Sequence, residues 1–268
     1  MKKLEHLSSI FKSYDIFIID LWGVLHNGIQ PNPEAIRAIE ELHKNNKKYV
    51  FLSNAPRPIE NVKSFLLKMG VDEKYLKNIY TSGEAALQSI RNLKYGKFFY
   101  HLGPDRDNYL YKGLEKSKVD LNSCDYILCT GLFDQEIDNL DFYNKILKAH
   151  KNKIMVCTNP DLVVDRGNVR EYCAGSIADL FEKLGGKVIY FGKPHKEIYD
   201  LILEKKQKAL IIGDNLRTDI KGANNINQDS IFILEGVHKN EILDEKNLKP
   251  LFDKYSVMPN FIQEKLMW

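Results

Sequence analysis

No apolar run in this 268-residue sequence approaches the ~18 residues that cross a bilayer. Asp15 and Asp20 break the N-terminal apolar stretch, so it does not read as a signal peptide. Cysteine is scarce. Cys124, Cys129, Cys157 and Cys173 form no CxxC and share no metal-ligand spacing with a histidine. They read as reduced thiols of a cytoplasmic protein, not as a disulfide framework or zinc site. Charge of one sign is also lacking: 39 basic and 36 acidic residues leave a formal +3. Only 7 of the basic residues are arginine, and no tract is dense in them. A nucleic-acid partner and an acidic membrane surface are both excluded as expectations.

What is present is ordinary for a globular chain: 44% hydrophobic and 28% charged residues. The length suits about two domains and a core that needs no staples. Short apolar runs fall at 15–20, 48–52, 97–101, 125–129, 153–157, 188–191, 209–213 and 230–234, and helical patterns alternate with them. One such helix opens with Asn32 as cap, Pro33 at its first position and Glu34 in its first turn. Ile36, Ile39 and Leu42 follow on one face; a later helix places Ile59, Val62, Leu66 and Met69 together and stops at Gly70. Strands apolar on both faces and separated by helices predict an α/β fold with a parallel sheet and right-handed crossovers. Leu251, Phe252, Phe261, Ile262, Leu266 and Trp268 read as a packing segment over a sheet edge or face.

Ligands of such sheets sit beyond the carboxyl ends of the strands, and four strand ends carry chemistry. Asp20 closes the first buried run, Ser53-Asn54 the second, and Gly192-Lys193-Pro194 the run at 188–191. Each alone has a bland reading: a solvated strand end, a helix cap, a surface lysine. Gly213-Asp214-Asn215-Leu216-Arg217-Thr218-Asp219 is stronger, because two carboxylates flank a turn into a helix and offer the hard oxygens that suit Mg²⁺. Together, an acid, a hydroxyl, a cation and an acidic pair are the parts of phosphoryl transfer through a carboxylate nucleophile.

At these residues the sequence resembles the haloacid dehalogenase superfamily, whose four motifs fall on Asp20, Ser53, Lys193 and Asp214 with Asp219. Trp22-Gly23-Val24, Thr81-Ser82-Gly83, Asn159-Pro160-Asp161 and Ala174-Gly175-Ser176 narrow the resemblance to the large-cap branch of nitrophenyl-phosphatase-like and sugar- or nucleotide-phosphate phosphatases. The resemblance implies a Rossmann-like parallel-sheet core at 1–79 and 188–268 with an inserted α/β cap at about 80–187. The 140 residues from Ser53 to Lys193 leave ample room for that insertion. It also implies a cytoplasmic, Mg²⁺-dependent phosphohydrolase acting on a small phosphorylated metabolite, and pairing of two copies through the cap. Asp20 would be the nucleophile and Lys193 its cationic partner. Ser53, Asn54, Lys193, Asn215, Asn159 and Asp161 would bind phosphate or substrate. Asp20, the Trp22 backbone carbonyl and Asp214 would hold the metal, with Asp219 in support.

One position departs from the pattern. Phosphatases resembling this chain carry a second Asp two residues after the nucleophile, as the acid for the leaving alcohol; here Trp22 stands there, and an indole N–H has no useful acidity. General acid–base assistance is worth about 10²–10⁴-fold, so a slow enzyme, or one limited to good leaving groups, is expected. Replacement acids are His26, Asp161 or His195, each also readable as an ordinary loop or helix-start residue. The alternative is a silent phosphate-binding protein; dehalogenation is disfavoured by the acidic pair and the cap. Trp22 either packs beneath the cap or lines the substrate pocket, and Arg166 and Arg170 either meet a second acidic group of the substrate or lie on the cap surface.

Overall fold

A strand with no polar side has to be covered on both faces, and the run at Ile16–Ile19, buried at all four positions, lies inside such a sheet. The computed structural model describes residues 1–268 except Asp138, Asn168, Leu243, Glu245 and Lys246. In chain order its strands are β1 (Lys2–Lys3), β2 (Ile16–Ile19), β3 (Lys48–Ser53), β4 (Ile79–Thr81), β5 (Phe99–Leu102), β6 (Tyr126–Cys129), β7 (Ile154–Cys157), β8 (Val163–Arg166), β9 (Val169–Tyr172), β10 (Lys187–Tyr190), β11 (Ala209–Gly213), β12 (Asp229–Ile233) and β13 (Phe261–Gln263). Seven of them form a parallel sheet in the order β1-β13-β12-β11-β2-β3-β4.

Alternation along β2 divides the core in two. Phe17 and Ile19 face one side, where Ile39, Leu42, Val62 and Leu66 of helices Pro33–Lys44 and Ile59–Lys68 pack on them. Ile16 and Ile18 face the other, against Ile198, Tyr199 and Ala223. The first helix starts as expected: the Asn32 side chain accepts from Glu34 N at 3.1 Å, and Pro33 follows it. The second ends on Gly70 at φ +91, with Gly70 N donating to Leu67 O and Val71 N to Leu66 O.

A second parallel sheet, β10-β7-β6-β5, is inserted between β4 and β11, and the antiparallel hairpin β8–β9 projects from it between β7 and β10. This arrangement corrects the expected boundaries. Residues 188–190, assigned to the core, pair with 155–157 in the inserted sheet, where Val188 and Tyr190 join its apolar cluster. Tyr80 and Thr81, assigned to the cap, pair with Leu52 and Ser53 in the seven-stranded sheet. Lys193 therefore follows a strand of the inserted sheet and lies on the segment that returns to the core. The C-terminal segment also differs from a mere covering: Phe261–Gln263 is a strand between β12 and β1, while Trp268 packs on Phe11 with ring centroids 4.8 Å apart. Among the described residues, no helix is long and apolar enough to cross a membrane.

Candidate active site

The chain leaves β2 toward β3 on one side, while β11 lies on the other, so a crevice opens beyond the carboxyl ends of β2 and β11. Asp20 is the first residue past β2, and its N–H donates to Ile212 O at 2.9 Å, which holds the backbone alongside β11. Asp214 follows Gly213 at the end of β11. Asn215 then caps the next helical turn by accepting Arg217 N at 2.9 Å, and that turn carries Asp219 back into the crevice. Glycine is required around these acids. A Cβ on Gly213 would stand 2.1 Å from Asp219 Cγ, and one on Gly23 or Gly236 would stand 2.1 Å from an Asp214 side-chain atom.

Lys193 enters this ring of acids from the inserted unit. Its Nζ donates to Asp20 Oδ1 at 2.5 Å and to Asp219 Oδ1 at 2.7 Å, and it is only 2% exposed. Asn54 holds the lysine backbone at both ends, accepting Lys193 N at 2.8 Å and donating to Lys193 O at 3.1 Å. Burial opposes the ammonium charge, but Asp20, Asp219 and Asp161 overcome it and hold the lysine well above its usual pKa. The carboxyls move the other way. Burial, with Asp219 adding repulsion, pushes Asp20 up to about 8 against the pull of Lys193. Burial and the charges of Asp20 and Asp219 push Asp214 well up.

Carboxylate oxygens of Asp20, Asp214 and Asp219 lie within 4.8 Å of one another. Both Asp219 oxygens are engaged, one by Lys193 and the other by Asn215 N at 3.2 Å. Asp214 Oδ2 accepts Val237 N at 2.7 Å. Among the described residues, Asp20 Oδ2 and Asp214 Oδ1 take no protein donor. Three acids against one ammonium, two of them with a free hard oxygen, fit a divalent cation of the Mg²⁺ type.

The inserted unit covers the crevice and closes a cleft of about 940 Å³. Asp20, Ser53, Asn54, Asn159, Asp161, Lys193, Asp214, Asn215 and Asp219, all expected in the site, line it. The Ser53 hydroxyl accepts Ala55 N at 3.2 Å and keeps its own proton free to donate. Asn159 Oδ1 accepts Asp161 N at 3.0 Å and shapes the turn that presents Asp161.

Trp22 packs beneath the cap and is part of a latch. Its indole N–H donates to the Asp165 carbonyl of the hairpin at 2.7 Å. The Arg166 guanidinium lies over the ring at 5.5 Å, the His26 edge meets it at 5.1 Å, and a Cβ on Gly28 would come within 2.4 Å of it. Gly167 N donates to Asn27 O at 3.2 Å and Arg170 to Val237 O at 2.6 Å, tying the same hairpin to two core loops. The arginines are thus already partnered: Arg166 with Glu171 at 3.1 Å, Arg170 with Asp165 at 2.8 Å.

Two of the replacement acids lose their case. His26 is buried, accepts Gly28 N at its Nδ1 at 3.0 Å, and is lowered by burial to about 4, so it is neutral near pH 7. His195 stacks on Tyr190 at 5.3 Å, outside the cleft wall. The far wall holds residues that sequence reading passed over. Arg57 from the core pairs at 3.4 Å with buried Asp107 of the inserted unit, and Arg106 pairs with Asp134. Only their placement on facing loops identifies them; no local motif does.

A family model described as haloacid dehalogenase-like hydrolase matches residues 17–115, and one described as HAD-hydrolase-like matches 190–255. A solved hydrolase of the haloacid dehalogenase-like family from Brucella suis 1330 aligns with TM-score 0.86 and 30% identity, over 98% of this chain and 100% of that one. The chain is also similar to an acid sugar phosphatase of Staphylococcus haemolyticus, 26% identical over 90% of this chain and 93% of the relative. A 5'-nucleotidase of Bacillus subtilis, YutF, is 23% identical over 89% and 94%. The p-nitrophenyl phosphatase of Archaeoglobus fulgidus shares the fold with TM-score 0.73 at 22% identity, over 94% of this chain and 97% of that one.

Two outcomes follow from this geometry. A carboxyl whose pKa is higher in the folded state stabilises the fold at low pH and loses that contribution as pH rises through the folded value. Asp20, raised from 3.8 to about 8, should therefore make the metal-free protein melt at lower temperature as pH climbs from 6.5 to about 8, above the range where the lowered His26 and His101 act in the opposite sense; Asp214, also pushed up, adds to the trend. Lys193, raised above 10.5, stays charged throughout and does not reverse the trend. Calorimetry of protein treated with chelator reads this, and Asp20→Asn should flatten the slope. Separately, Trp22→Phe removes one latch hydrogen bond, worth about 0.5–1.5 kcal/mol. Amide exchange in the β8–β9 hairpin should speed up about 2- to 12-fold, measured by hydrogen–deuterium exchange.

Proposed function

The chain belongs to the haloacid dehalogenase-like hydrolase family, and from that premise we propose that it is a Mg²⁺-dependent phosphohydrolase of sugar or nucleotide phosphates working through Asp20. The observation that carries this reading is the buried contact of Lys193 Nζ with both Asp20 and Asp219 at the carboxyl ends of β2 and β11. A cation there neutralises the approach of a carboxylate nucleophile to a phosphate dianion. The chain's similarity to an acid sugar phosphatase and a 5'-nucleotidase favours turnover over silent binding and supports sugar or nucleotide phosphates as substrates.

In this reading the Asp20 carboxylate attacks phosphorus and forms an aspartyl-phosphate. Lys193, the Ser53 hydroxyl and the Asn54 carboxamide line the space for the phosphate oxygens. Asp20, the Trp22 carbonyl and Asp214 would hold Mg²⁺, while Asp219, with both oxygens engaged, holds Lys193 and the turn behind them. Bound there, Mg²⁺ supplies Lewis-acid neutralisation of phosphate charge. The inserted unit excludes water from the cleft and shapes it for the leaving group. Position 22 supplies no proton, since its N–H is committed to Asp165 O.

A steady-state panel of acetyl phosphate, p-nitrophenyl phosphate, nucleotides and sugar phosphates, with and without Mg²⁺, tests the reading. Turnover should need Mg²⁺ and fall at least about 10³-fold in Asp20→Asn, as expected when the group forming the covalent intermediate is lost. Mg²⁺ affinity, read by titration calorimetry, should rise with pH and release protons, because the raised Asp20 and Asp214 carboxyls must ionise to bind. Turnover indifferent to Asp20 would contradict the proposal.

A further inference from the structure

An alcohol leaving as an alkoxide needs a proton, and the residue after Leu21 cannot give one. In-line attack by Asp20 puts the departing oxygen on the side of phosphorus away from β2, toward the inserted unit. The acidic side chain that reaches the cleft from that unit beside the buried cluster is Asp161, in the loop after β7. It is built into place. Asn54 Nδ2 and Asn215 Nδ2 each donate to its Oδ1 at 3.3 Å. Asn159 Oδ1 accepts its N–H at 3.0 Å, and its carbonyl accepts Gly175 N at 3.1 Å at the start of helix Ala174–Lys183. A Cβ on Gly175 would come 2.3 Å from Pro160 O, so the loop sits tight on that helix.

Beside these carboxamides the buried Thr218 hydroxyl lines the cleft and also interacts with the Asp161 carboxyl. Two core carboxamides thus fix one carboxyl oxygen of Asp161 at the cleft wall.

Resting on the phosphohydrolase reading, we propose that Asp161 is the catalytic acid and base of this site, in place of the residue at position 22. In the first step Asp20 bonds to phosphorus, the P–O bond to the alcohol breaks, and its electron pair takes the proton of Asp161. In the second step the Asp161 carboxylate removes a proton from water. The water oxygen bonds to phosphorus, the bond to Asp20 breaks, and inorganic phosphate leaves with Asp161 protonated again. One carboxyl group on the leaving-group side serves both steps. Its environment suits both roles, because burial and the Asp219 charge raise it to about 6 against Lys193 and the donors Asn54 and Thr218. Asp20 also faces it from the core, and the buried thiols of Cys157 and Cys173 from its own unit.

The test is kinetics of wild type, Asp161→Asn, Asp161→Glu and Asp20→Asn with Mg²⁺ on acetyl phosphate, p-nitrophenyl phosphate and a sugar phosphate. General-acid loss predicts that Asp161→Asn lowers kcat/KM on the sugar phosphate by about 10²-fold or more, and far less on acetyl phosphate, which leaves unaided. Because the second step is common to all substrates, kcat should fall on every one. The alkaline limb of kcat/KM for the sugar phosphate should flatten, and Asp161→Glu, which keeps a carboxyl, should recover part of the loss. A structural role would lower kcat/KM equally across the series. That result, or no loss at all while turnover still needs Asp20, overturns the assignment of Asp161 alone. Absence of any Asp20-dependent turnover in wild type overturns the phosphohydrolase reading and the assignment together.

Discussion

The ammonium of Lys193, buried between Asp20 and Asp219, is the contact on which the rest of the structure turns. A buried charge is tolerated only when paired and hydrogen-bonded, and removing one partner of such a pair typically costs about 3–5 kcal/mol. Here the partners come from three stretches of chain. Asp20 follows β2, Asp219 follows β11, and Lys193 lies on the segment returning from the inserted sheet. The pairing therefore ties the two units together and assembles the site in one stroke. It also leaves the cluster acid-rich, which is why Asp20 and Asp214 are pushed up and why a divalent cation fits beside them.

Trp22 ties the core to the inserted unit. Trp22 lines the cleft, and its indole N–H bonds to the hairpin backbone at Asp165 O. With Gly167 and Arg170 it closes the β8–β9 hairpin over the crevice, and Arg166 covers its ring.

Much of the fold was legible because burial on both faces leaves a plain mark: Ile16–Ile19, Tyr126–Cys129 and Ala209–Gly213 are apolar throughout. The acids at strand ends were legible for the same reason, since Asp20 and Asp214 interrupt such runs abruptly. Which sheet a strand joins was not legible. The run at 188–191 has the same apolar character as a core strand, and only the pairing of Lys187–Tyr190 with Ile154–Cys157 reveals its place. Contacts far apart in sequence were equally silent. Trp22 and Asp165 are 143 residues apart, and Asn54 and Lys193 139, so neither the latch nor the carboxamide clamp leaves a local pattern. Asp161 read as a substrate contact and a candidate acid but equally as an ordinary loop residue, and its meeting with Asn54 and Asn215 depends on how the inserted unit docks.

The central claim is that Asp20 becomes covalently phosphorylated. Rapid quench in acid of the Mg²⁺-loaded protein with acetyl phosphate, followed by peptide mass spectrometry, tests it most directly. The account predicts one added phosphoryl group on the peptide containing Asp20, absent in Asp20→Asn. Turnover of acetyl phosphate with that peptide unmodified at every quench time, or a phosphoryl group found on another residue, would contradict it.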